Sequence, residues 1–196
     1  MKEEQIILDN ICKHNITLTP EEKKTFTQIL QYKKVKKGEI LVNYGDISKQ
    51  QYFVISGCLR NYTIDEYGKE HILMFAATDW WTSDLYSYVS GMPGENIIDA
   101  LVDSEVFEIC KDDMEKVLEQ VPKFERFFRI LFQNSIVNNN RRIKAVMSIP
   151  AEERYQQFIQ KYPNIYKDIP LKHIASYLGI SPEFLSKIRG KIAHSA

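Results

Sequence analysis

The 196 residues carry 26 basic and 26 acidic side chains, so the chain as a whole is no polyelectrolyte. Its eleven Tyr, ten Phe and two Trp exclude a disordered composition. No run of about 18 apolar residues is present, which excludes a membrane-spanning helix, and the charged start MKEEQIILDN lacks the apolar stretch of a signal peptide.

In chain order, residues 3–14 and 20–31 read as two short helices. Thr19-Pro20-Glu21-Glu22 opens the second with a capping hydroxyl, a proline at the first turn and acids at the positive dipole end. From about Lys33 the texture changes to short runs rich in Val, Ile, Tyr and Phe: VKKGEILVNYGD, QQYFVISGCLRNYTIDEYGKEHILMFAA and ENIIDALVDSEVFEIC. Gly38, Gly45, Gly57 and Gly68 punctuate them, the spacing of a compact antiparallel barrel or roll, and Asp65-Glu66-Tyr67-Gly68 reads as a hairpin turn. Cys12, Cys58 and Cys110 form no C-x-x-C pair. They suggest no zinc or iron–sulfur site and read as free, small, buried side chains in a reducing cytoplasm.

Helical texture returns at Lys111, and a long amphipathic run extends from Pro122 to about Ser148, uninterrupted by Gly or Pro. Phe124, Phe128, Leu131, Phe132, Ile136, Asn139 and Ile143 recur at spacings of three and four. A helix of this length outruns a single small domain, so this stripe is expected to pair two copies of the chain, with Asn138-Asn139-Asn140 placed to set register. Ser148-Ile149-Pro150 breaks it, and Ala151 to Tyr162 forms a further helix. The expected divisions are therefore 1–120, 121–148 and 149–196.

The segment PLKHIASYLGISPEFLSKIRGK, Pro170 to Lys191, has the restrictions of two helices crossing over a tight turn. Ala175 is small where the helices cross. Gly179 can take the left-handed conformation that ends the first, and Ser181-Pro182-Glu183 caps and opens the second. Ile174, Leu178, Ile180, Leu185 and Ile188 form the inner apolar set. Ser181, Pro182, Glu183, Phe184, Ser186, Lys187 and Arg189 are left outward, with types that suit base edges and phosphates; Lys172 is a further phosphate candidate. From Arg141 onward ten Lys or Arg face four Asp or Glu, a net of +6, against −6 for the rest of the chain, which also favours an anionic partner for this end. The four His, at 14, 71, 173 and 194, are scattered and read as surface or packing groups, His173 with a phosphate contact as its sharper option.

This order of elements resembles the Crp/Fnr superfamily of bacterial transcription regulators over nearly the whole chain. KKGEILVNYGD and YFVISGCLRNYTIDEYGKEHILMF are similar to its β-roll, and LKHIASYLGISPEFLSKIR, with RYQQFIQKYP ahead of it, to the DNA-reading unit of its Bacteroidetes-type branch. The implied fold is α+β: an N-terminal double-stranded, jelly-roll-like β-roll, a long dimerisation helix and a C-terminal helix-turn-helix. Five residues follow Lys191, so the family's final β-wing is lacking and phosphate contacts fall to the helices or to Arg141, Arg142 and Arg154. The resemblance implies a homodimer on double-stranded DNA bearing a palindromic operator, with RNA polymerase and a small-molecule effector as further candidate partners; the free thiols, the missing apolar run and the missing ligand spacing are what point to a cytoplasmic chain with neither membrane nor metal.

Founding members of that family bind cyclic AMP through Gly-Glu-Leu and Arg-Ser/Thr-Ala segments. Here Ser83-Asp84-Leu85 and Ile98-Asp99-Ala100 fall at those places. Asp84 keeps a group for a ribose hydroxyl, but Ile98 removes the guanidinium, Asp99 is expected to repel a phosphate, and Arg60 offers no obvious replacement. Cyclic AMP is therefore not expected. Trp80, Trp81 and Tyr86, with Asp84 and Asp99, are candidates for another effector's pocket. No nucleophile–base pair, metal-ligand spacing or P-loop points to an enzyme. The alternative reading is a ligand-binding or protein-interaction module that does not bind DNA.

Overall fold

A computed structural model describes residues 2–195, apart from the side chains of 193–195, so the reading of His194 lies outside it. Helix α1 (Lys2–Lys13) leads to α2 (Pro20–Thr27), where Thr19 Oγ1 accepts from Glu22 N and Glu22 Oε2 accepts from Thr19 N, a complete capping box. Eight strands follow: β1 (Gln31–Val35), β2 (Ile40–Val42), β3 (Gln50–Ser56), β4 (Cys58–Ile64), β5 (Glu70–Ala77), β6 (Trp81–Thr82), and, after the short helix α3 (Leu85–Ser90), β7 (Ile97–Ala100) and β8 (Ser104–Cys110). Then come α4 (Lys111–Gln120), α5 (Lys123–Ser148), α6 (Ala151–Lys161), α7 (Leu171–Leu178) and α8 (Pro182–Ser195).

The strands form two four-stranded antiparallel sheets, ordered β1-β8-β3-β6 and β2-β7-β4-β5. Side chains alternate across each strand, and both faces are covered, which is why β3 reads as an unbroken apolar run. Tyr52 and Val54 point between the sheets with Leu59, Ile98 and Val106. Phe53 and Ile55 point the other way, into a core built by α1, α2, α4 and the first turns of α5, where Phe26 stacks on Phe124 at 4.6 Å. The outer face of the second sheet is covered by α6, α7 and α8. Phe75 on β5 meets Phe158, Tyr162 and Tyr177 edge-on or tilted at 5.6–5.9 Å.

Gly57 makes the tight β3–β4 connection at φ +89; a Cβ there would stand 2.7 Å from the Asp103 carbonyl, so only glycine fits. Among the described residues no helix is long and apolar enough to cross a membrane. Cys58 is buried as expected, whereas Cys12 is exposed because it lies on the solvent side of α1.

Candidate nucleic-acid interface and the domain junction

Helices α7 and α8 meet around Ala175, which is fully buried, while Gly179 closes α7 in the left-handed region at φ 68, ψ 36. Ile174, Leu178, Leu185 and Ile188 are buried beneath them. Ser181 Oγ accepts from Phe184 N at 3.2 Å, capping α8. Glu183 in the first turn is held below the usual carboxylate range by its own backbone N–H and by Ser181. Ser181, Pro182, Glu183, Phe184, Ser186, Lys187 and Arg189 are all exposed, as is Lys172 on α7. The sequence-derived reading set thus lies on the outer side of one helix and its approach, while the inner side is spent on the core.

The other face of this helical unit is docked on the roll, and here the structure corrects several expectations. Asp99 lies on the outer face of β7, beneath α7. Arg60, two strand positions from Tyr62 on β4, donates Nε and Nη2 to Asp99 Oδ1 and Oδ2 at 2.9 and 2.5 Å, and Nη1 to Glu70 Oε2 at 2.6 Å. Asp99 is therefore neutralised and cannot meet a ligand inside the roll. His173 is only 7% exposed, a packing position and not the surface one from which it could meet a phosphate, because α7 turns it into this cluster. Arg60 Nη1 lies 3.1 and 3.2 Å from His173 Nδ1 and Nε2; a guanidinium only donates, so its approach favours the neutral ring whichever nitrogen accepts. Burial, then the neighbouring Arg60, lowers the His173 pKa from 6.5 to about 4.

Ser176 completes the joint. Its Oγ accepts from Ile72 N at 3.0 Å and donates to Glu70 O at 2.8 Å, satisfying the free edge of β5. Arg142 on α5 donates to the Ile72 and Leu73 carbonyls at 3.1 and 2.5 Å. Arg154 donates to the carbonyls of Val146, Ile149 and Leu178. Both guanidiniums are tied to backbone, so the phosphate role expected of them is corrected for Arg154 and reduced for Arg142. No local signal marks His173 and Ser176 as partners of Arg60 and Glu70; the last two share the β4–β5 hairpin, and α7 reaches it from more than 100 residues further along the chain.

The expected effector residues do not form one pocket. Trp80 and Trp81 line a shared cleft, but Asp84 is 1% exposed and spent on caps. It accepts from Ser87 N and Asn96 N, while Tyr86 stands out in solvent. The pairing stripe also needs correction. Phe124 and Phe128, 0% and 5% exposed, are buried in their own subunit's core, with Leu131 and Phe132 packed against it. Asn139 lines the cleft beside the roll. Of the set only Ile136 and Ile143 face away from the chain, joined by Met147 at 82% exposure.

Residues 32–121 match the cyclic nucleotide-binding domain family. The chain is 27% identical over 190 residues to an anaerobic regulatory protein of Pasteurella multocida, covering 90% of this chain and 68% of that one. It is 26% identical over 193 residues to a fumarate and nitrate reduction regulatory protein of Vibrio cholerae, covering 91% and 76%. Among solved structures, FixK2 of Bradyrhizobium japonicum superposes with a TM-score of 0.73 at 16% identity, covering 85% and 86%. The residues here do not fit the nucleotide that the family's description names. Ile98, at the phosphate-pairing place, is 0% exposed within the roll core, and the Arg60 guanidinium is bound on the opposite face of the sheet.

Proposed function

We propose that the chain is a DNA-binding transcription regulator of the Crp/Fnr superfamily, two copies of which pair along α5 and read a palindromic duplex with α8; the similarity of residues 32–121 to the cyclic nucleotide-binding domain and of the chain to the regulators above supports this reading. The observation that carries this reading is the exposed face of α8. Lys187, Arg189, Ser186 and Glu183 take no part in the core that holds the helix, and they combine phosphate-binding cations with groups able to read base edges. Pairing supplies what one helix lacks, a second half-site about 34 Å away, one turn of B-DNA. The spent Asp84 and the buried Ile98 argue that cyclic AMP is not the trigger in this chain. RNA polymerase and a small effector are the remaining partners this reading calls for.

Selection of genomic duplex fragments on the purified chain tests it. The bound pool should share an inverted repeat, with affinity falling steeply as salt rises. Lys187→Ala should lower the salt slope by about one, and Glu183→Ala with Lys187→Ala should erase sequence preference while leaving the dimer intact. A pool without any shared inverted repeat, or no binding at low salt, would sink the reading in favour of a module that does not bind DNA.

A further inference from the structure

Two clefts, of ≈ 350 Å³ and ≈ 210 Å³, meet where β5, α5, α6 and α7 come together, and both are lined by Asn138, Arg142, Lys161 and Tyr177. The charge there is one-sided. Lys161 Nζ donates to the Tyr177 hydroxyl at 3.2 Å, and Arg142 uses Nη1 on two carbonyls; neither pairs with a carboxylate among the described residues. Arg141 and Arg154 line the smaller cleft as well, and Arg154 Nε is buried without a hydrogen-bond partner. The acid on the wall of the larger cleft, Asp79, is already held by Lys13 and Asn10. Flat aromatic surface stands beside the cations: Lys161 Nζ lies 5.1 Å from the Trp80 ring centre, and the Arg142 guanidinium lies 4.9 Å over Tyr177.

Cations drawn into a half-enclosed cleft without counter-charge favour an anion that supplies it, and a cleft of this size takes a small molecule. We propose that this junction binds a small organic anion carrying a planar ring, its charged group held by Lys161 and Arg142 and its ring laid against Trp80. Asn138 of α5 offers a neutral hydrogen-bonding group to the same ligand. The site lies outside the space between the two sheets, although Trp80 and Met74 also pack against that core, and away from the exposed face of α8, so it stands or falls apart from DNA reading.

Both tryptophans of the chain line the larger cleft, so intrinsic fluorescence reports on it directly. The purified chain, free of DNA, is titrated with phenyl phosphate, and in parallel with inorganic phosphate and with phenol. Phenyl phosphate should give a saturable change, at least roughly tenfold weaker in Lys161→Met, which keeps the aliphatic stem but not the charge, and unaltered in Lys187→Ala. Lys161→Gln, with a urea unfolding curve for each variant, separates lost binding from lost folding. The proposal is overturned by no saturable change up to about 5 mM phenyl phosphate. It is equally overturned if phenol matches phenyl phosphate, so that charge contributes nothing, or if inorganic phosphate does, so that the ring contributes nothing. Weakening by Lys187→Ala would place the anion on the DNA-reading face and overturn it too.

Discussion

Asp99 shows how far a single residue's meaning depends on the face of the strand it occupies. Taken from sequence as an acid facing a phosphate, it lies instead on the outer side of β7, where Arg60 holds both its oxygens. The two side chains are 9% and 10% exposed. Breaking such a pair strands a charge, whereas replacing both partners by apolar groups removes the demand for pairing. Arg60→Ala should therefore cost about 3 kcal/mol of stability, and Arg60→Leu with Asp99→Leu should recover most of the loss, measured by urea unfolding. A single variant as stable as the parent would show that Asp99 is solvated or finds another partner.

At the scale of the element, α5 serves two environments in succession. With 3.6 residues per turn, Leu131, Ser135, Asn138 and Arg142 fall on one side and Ile136, Asn140, Ile143 and Met147 on another, about 140° away. The first side meets the core and the cleft; the second is exposed over the last turns. Ile143→Glu should convert the proposed dimer to monomer in equilibrium sedimentation with little change in monomer stability, because the side chain touches solvent in the single chain. Phe124→Ala, by contrast, should cost about 3–5 kcal/mol through the cavity it leaves, whatever the oligomeric state.

The same helix marks where sequence was legible and where it was not. Its length, its stop at Pro150, the Thr19 cap and the Ala175–Gly179 crossing are local patterns, set by residues within one or two turns, and each is found as read. Which of two adjoining stripes turns inward depends on what packs against the helix, and periodicity alone does not decide it. For the same reason the Phe residues read as an interface are core. The outward set on α8 was legible because the inner set, Leu185 and Ile188, is matched by a partner only a few residues away in α7. The contacts of His173 and Ser176 with the roll, between residues more than 100 positions apart in the chain, leave no such trace.

For the whole molecule, the decisive feature is that the helices proposed to read DNA rest on the roll through a joint that mixes an aromatic core with a charged rim. His173 reaches that rim from α7 and faces Arg60 on β4, Glu70 on β5 and Asp99 on β7, with Lys172 beside it on its own helix. Docked, its pKa is about 4; released, it returns toward 6.5. Between those values the released chain holds a proton that the docked chain refuses, so docking is strongest above pH 6.5 and weakens as pH falls toward 4, by on the order of 2 kcal/mol. The part due to His173 is isolated by comparison with His173→Gln, which keeps a side chain able to accept from Arg60 but does not titrate. Melting temperature and radius of gyration by small-angle scattering, followed from pH 7.5 down to 4.5, should show the parent chain losing stability and opening while His173→Gln changes less over the same range. Parallel curves for the two proteins would mean that His173 does not carry the coupling between the roll and helices α7 and α8.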